Sequence, residues 1–110
     1  MSALEACPSP MALLDADGRV LDANPAFLQL FSPGGKGDGL HFGDLLDPSD
    51  RLPFQRELGG LAKGDRTSFE AERRFLSRER SLFWAQVTTI TFRDGENRTP
   101  HFLVSLEVRA

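Results

Sequence analysis

A chain of 110 residues with 40% hydrophobic content is sized for one domain, 1–110, burying roughly two thirds of the surface that the unfolded chain exposes. Its formal charge of −3, with acidic and basic residues interleaved, argues against a nucleic-acid surface, which needs a clustered basic face. One cysteine, Cys7, excludes an internal disulfide and a Cys-rich zinc cluster; with no basic leader and no apolar run of membrane-spanning length, the expectation is a soluble, cytoplasmic chain.

Residues 1–9 read as an N-terminal segment ahead of the first apolar run, Met11 to Leu14. Asp15-Ala16-Asp17-Gly18 then supplies residues tolerant of positive φ, and Val20 and Leu21 resume an extended run, so the stretch reads as a β-hairpin. A calcium loop is the competing reading of these aspartates. It fails on spacing, because Gly18 comes too early and Ala26 stands where a bidentate Glu belongs. Asn24 is placed to cap a short helix whose first residue is Pro25 and whose apolar positions Phe27, Leu28, Leu30 and Phe31 recur at helical spacing, ending before Ser32-Pro33.

The stretch SPGGKGDG, 32–39, has four glycines in eight residues and reads as a mobile loop. A phosphate cradle is disfavoured, since no Ser or Thr follows Lys36 and no long helix begins there. Two helical pieces follow: a turn around Phe42 to Leu46, and a longer helix opened by Asp47-Pro48 or by Asp50, with Phe54, Leu58 and Leu61 as its core stripe. Pro53 fits only near that helix's first turn; Gly59-Gly60 weaken it and Gly64 ends it.

From Thr67 the period becomes two. Phe69, Ala71 and Phe75 fall on one side of a strand and Glu70, Glu72 and Arg74 on the other. SLFWAQVTTITF and PHFLVSLEV, joined through the turn Asp94-Gly95-Glu96-Asn97, complete an antiparallel meander. Both faces of these last strands carry large apolar groups, Phe83 and Val87 against Trp84 and Ile90, and Phe102 and Val104 against Leu103. One face should cover the helices, and the other calls for a cover of its own, the N-terminal segment or a second subunit.

This order of elements resembles a PAS domain, the sensory module of many signal-transduction proteins. The resemblance runs from Cys7 to Arg109 and is carried by PMALLDADGRVLDANPAFLQLF, by LLDPSDR in place of the family's His-Pro-Asp-Asp, by FEAERRF, by the aromatic Trp84, and by LVSLEVRA, where Glu107, Val108 and Arg109 stand for a closing Asp-Ile-Thr. It implies an α+β fold with a PAS core over 10–109: a five-stranded antiparallel sheet of order 2-1-5-4-3 with short helices over one face. Departing from the pattern, Ser77-Arg78-Glu79-Arg80 replaces the usual Asp-Gly turn, so a longer or bulged connection is expected there.

By the same resemblance a ligand pocket would be lined by His41, Phe42, Leu46, Phe54, Leu58, Phe69, Ala85 and Val87, with signal output through Glu107 and Val108 into a downstream effector domain of a histidine kinase, cyclic-dinucleotide enzyme or transcription regulator. The expected function is a regulatory sensor of a small-molecule ligand, a module that homodimerises through the outer sheet face or the N-terminal segment, or both. A ligand-free interaction module and a haem- or flavin-bearing redox or gas sensor are the alternatives. Cysteinyl-flavin photochemistry and covalent chromophore attachment are excluded, because Cys7 precedes the first strand. The expectation is no cofactor; haem would depend on His41 and a noncovalent flavin on Trp84 or Asn24. A metal site would need His41 and His101 to converge, which nothing in the spacing demands. Ser49, Asp47 and His41 include the residue types of a catalytic triad, but a Ser-Asp pair at a helix start is first of all capping chemistry, so no enzyme is expected.

Overall fold

The computed structural model describes residues 9–32, 35, 39–93 and 99–109. Within them the chain forms β1 (Met11–Leu14), β2 (Val20–Ala23), α1 (Pro25–Phe31), α2 (Phe42–Leu45), α3 (Pro48–Ala62), β3 (Ser68–Leu76), β4 (Leu82–Arg93) and β5 (Pro100–Val108). The strands make one antiparallel sheet of order β2-β1-β5-β4-β3, the order implied by the resemblance.

The first hairpin closes through its own side chain. Asp15 Oδ1 accepts the amides of Asp17 and Arg19, each at 2.9 Å, and Gly18 takes φ +90, a region that costs a glycine little. Asn24, fully buried, accepts the amides of Phe27 at 3.0 Å and Met11 at 2.9 Å, so one side chain caps α1 and ties it to β1.

Alternation along the long strands divides the sheet into two faces. Phe75, Ala85, Val87, Phe102, Val104 and Leu106 point inward and are buried against the helices. A chain of phenylalanine contacts fills the space between the layers: Phe27 to Phe31 at 4.8 Å, Phe42 to Phe54 at 5.0 Å, Phe42 to Phe75 at 5.7 Å and Phe75 to Phe83 at 5.6 Å between ring centroids. Each fully buried ring contributes about 2 to 3 kcal/mol of apolar transfer free energy, so this cluster is the main adhesive between helices and sheet.

The helical middle bonds to one stretch of each edge of the sheet. At β2, the Val20 amide donates to the Leu40 carbonyl at 2.8 Å and the Phe42 amide to the Gly18 carbonyl at 2.9 Å. At β3, the Asp47 amide donates to the Arg74 carbonyl at 2.8 Å, and the Arg74 amide donates to Asp50 Oδ2 at 2.7 Å. The segment from Leu40 to Asp50 therefore spans the sheet from edge to edge, satisfying strand groups that would otherwise template a foreign strand.

The longer helix starts at Pro48, with Asp47 as its N-cap, so Pro53 lies in its second turn and not its first. Pro53 has no N–H to give the Ser49 carbonyl, one helical bond fewer at an exposed residue. The connection after β3 is a three-residue loop, Arg78 to Arg80 between Ser77 and Ser81, one residue longer than a two-residue Asp-Gly turn, with Arg80 at φ 67. Most of the glycine-rich loop 32–39, the turn Asp94-Gly95-Glu96-Asn97, and Cys7 with the residues up to Pro8 lie outside the described residues.

Candidate functional site

His41 is the N-cap of α2. Its Nδ1 accepts the Gly43 amide at 3.3 Å, which makes Nε2 the protonated nitrogen, and Nε2 donates to the Asp17 carbonyl at 2.8 Å. Both ring nitrogens thus hold backbone, joining the first hairpin to the helical middle. A haem iron would have to take Nε2 away from Asp17. His101 stacks on Phe92 at 5.8 Å on the outer face of the sheet, so the two histidines form no common site.

Around His41 the hairpin turn and α3 leave a cleft of about 270 Å³, walled by Asp17, His41, Gly43, Phe54, Leu58 and Gly59 among others. A methyl group at Gly59 would meet no atom within 4 Å, so the helix is thinned where it borders the cleft. Of the eight residues expected to line a pocket, His41, Phe54 and Leu58 meet here. Phe42, Leu46, Ala85 and Val87 are buried in the packed interior, and Phe69 lies at the far end of β3 beneath the Arg66 guanidinium, 4.7 Å from its ring centroid.

Two polar links between α3 and β3 were not singled out by sequence periodicity. Asp50 receives Arg74 twice through the side chain, Nε to Oδ2 at 3.3 Å and Nη2 to Oδ1 at 3.2 Å, besides the amide bond. Burial pushes the Asp50 carboxyl up, but the hydrogen bonds and charge of Arg74 outweigh it and hold the group below the ordinary aspartate value. Arg73, on the inward side by parity, pairs with Glu57 of α3, and its Nε is buried without an acceptor among the described residues. The parity of Arg73, between inward Ala71 and Phe75, was the available signal.

Asp47 and Ser49 are placed by capping: Asp47 Oδ2 accepts the Ser49 amide at 3.1 Å, and the Ser49 hydroxyl has no part in that bond. Asn24 is buried at the start of α1, whereas Trp84 stands on the outer face, 47% exposed, with the Arg74 guanidinium 5.4 Å from its ring centroid.

That outer face is divided. One end carries the cross-strand row Leu13, Leu103 and Ile90, with Phe92 beside it, and the other carries Trp84 and Leu82. Between them runs a polar belt that includes Glu70, Gln86, Thr88, Ser105 and Glu107. Glu107 pairs with Gln86, and Val108 with Ala85, so both expected output residues are held in register by β4 while remaining exposed. Arg109 extends this register, its amide donating to the Trp84 carbonyl at 2.8 Å and its guanidinium to Gln86 Oε1 at 2.7 Å.

A family model described as the PAS fold matches residues 4–109. Among solved structures, the PAS domain of a protein from Colwellia psychrerythraea superposes with a TM-score of 0.83 at 16% identity, covering 97% of this chain and 91% of that one. A PAS domain of an HTR-like protein from Haloarcula marismortui gives 0.73 at 22% identity, over 96% of this chain and 85% of that one. One from a two-component sensor histidine kinase gives 0.75 at 12% identity, over 96% and 88% respectively.

Proposed function

The chain belongs to the PAS family, and on that premise we propose that it is a regulatory sensor module of a signal-transduction protein that pairs with a second copy of itself through the outer face of the sheet. The observation that carries this reading is the exposure, on that one face, of Leu82, Trp84, Ile90 and Phe92, each more than 40% accessible. Charges of both signs accompany them, Arg74 and Arg109 beside Glu70, Glu72 and Glu107. A two-fold interface needs a surface complementary to itself, and mixed charge around apolar ends meets that need. β5 lies within the same face, so a change in pairing reaches Glu107 and Val108 and, through them, a downstream effector domain.

Sedimentation over a wide concentration range tests the reading. The expected result is a dimer for the parent chain and, for Ile90→Asp, a monomer that keeps the parent's circular dichroism and melts cooperatively at a lower temperature, because Ile90 is 44% exposed and the variant also loses the stabilisation that association supplies. A parent chain that stays monomeric at every concentration would sink the proposal.

The open space at Gly59 supports a second component, a small ligand in the cleft beside His41. The ligand acts by favouring one arrangement of hairpin, α2 and α3 over another, and its effect cannot exceed its differential affinity for the two. A compound that raises the melting temperature of the parent but not of Gly59→Leu is the expected finding in a broad metabolite screen. Stabilisation undiminished by Gly59→Leu would place the ligand elsewhere.

A further inference from the structure

The turn between β3 and β4 carries charge that neither the cleft at His41 nor the outer face uses. Ser77 holds it closed: the Ser77 carbonyl accepts the Arg80 amide at 2.8 Å, the Ser77 amide donates to the Ser81 carbonyl at 3.0 Å, and Ser77 Oγ accepts the Ser81 amide at 3.2 Å. In a three-residue hairpin loop the last position is left-handed and favours glycine, yet here it is Arg80, at φ 67. The Arg78 amide donates to the Leu30 carbonyl at 3.1 Å, which sets the turn against α1.

Arg78 and Arg80 line a cleft of about 330 Å³ whose other walls include Arg51, Asp44, Phe31 and Leu45. Arg51 is anchored by its Nε, which donates to the carbonyls of Gly43 at 3.1 Å and Leu46 at 3.3 Å, leaving its Nη groups without a partner among the described residues. The Arg78 and Arg80 guanidiniums likewise make no ion pair among the described residues. One wall acid, Asp44, exposed and without an ion pair among the described residues, stands against three arginines, and Glu79, exposed in the turn between Arg78 and Arg80, faces the neighbouring hollow beside Gln29 and Leu30 and is not among the walls of this cleft. Unneutralised guanidiniums around a cleft repel one another and focus a field that attracts anions, and their planar forks match carboxylate and phosphate oxygens.

We propose that this cleft binds a compact dianion, a phosphoryl or dicarboxylate group, with Arg78 and Arg80 as direct ligands and Arg51 anchored beside them by α2. The left-handed arginine follows from this: glycine would relax the backbone and remove a ligand. The proposal is independent of the dimer and of the His41 cleft.

The test titrates inorganic phosphate and, separately, succinate into the full chain at constant ionic strength, following amide and arginine Nε chemical shifts. Saturable shifts confined to Asp44, Leu45, Arg51 and Ser77 through Ser81 are expected, with phosphate or succinate preferred according to the head group. Arg78→Gln should weaken binding by about tenfold, the effect of losing a hydrogen bond between charged partners. Arg80→Gly should weaken it comparably while raising the melting temperature, which separates loss of a ligand from loss of the fold. Linear, non-saturating shifts spread over other surface arginines, or variants that bind as the parent does, would overturn the assignment.

Discussion

Asp50 shows how much one side chain settles. A carboxylate on the first turn of a helix is ordinarily read as capping or dipole chemistry. Here the geometry adds a second task, because Asp50 accepts both the amide and the guanidinium of Arg74 and so satisfies the edge of β3 at that residue. Asp50→Ala leaves the Arg74 amide without its acceptor and should cost about 2 to 3 kcal/mol by chemical denaturation. The pH dependence has a definite sign. Since the folded value is depressed, the carboxylate's contribution is complete above the ordinary aspartate pKa, about 4, and is lost as the pH falls through that value toward the folded one. The stability gap between parent and Asp50→Ala should stay level from about pH 5 upward and close in acid. A gap that persists unchanged in acid would mean that the lost contacts do not depend on ionisation.

Helix α3 has conflicting demands along its length. Pro53 removes a backbone hydrogen bond in its second turn, and Gly59 and Gly60 lower its intrinsic stability, so tertiary contacts must hold it. Those contacts are Phe54 and Leu61 against the core, and the Asp50 and Glu57 links to β3. Phe54→Ala should therefore destabilise by about 3 to 5 kcal/mol, the range for a buried phenylalanine that leaves a cavity. Gly60→Ala should do the reverse. Its added methyl group meets nothing within 4 Å, so the gain in helix propensity, about 1 kcal/mol, appears without a clash. Thermal melts of the two variants check both; a neutral or destabilising Gly60→Ala would indicate that the glycine serves a motion of the helix.

At the scale of the molecule, a single middle segment reaches both edges of the sheet, while on the sheet's outer face Leu82, Trp84, Ile90 and Phe92 stand exposed. Covering that face by a second copy should also change chemistry at its apolar ends: Trp84 fluorescence should shift to shorter wavelength as concentration rises, and Ile90→Asp should abolish the shift. Much of this architecture was legible in the chain itself. Period-two runs, the Asp-Gly turn and the Asn24-Pro25 start are local patterns, and local sterics and hydrogen bonding determine hairpins, caps and strand faces without reference to distant residues. Parity alone placed Phe75 and Val87 inward and Trp84 and Ile90 outward, as they stand. What the sequence could not decide is where inward residues leave space. Phe42, Leu46 and Ala85 have the same apolar character as Phe54 and Leu58, yet the first three are packed solid and the last two border a cleft. That outcome depends on how helices of fixed shape settle on a twisted sheet. The pairing of Asp50 with Arg74, the engagement of both His41 nitrogens and the meeting of Arg51 with Arg78 and Arg80 join residues far apart in the chain, and only tertiary packing brings such groups within hydrogen-bonding or electrostatic reach.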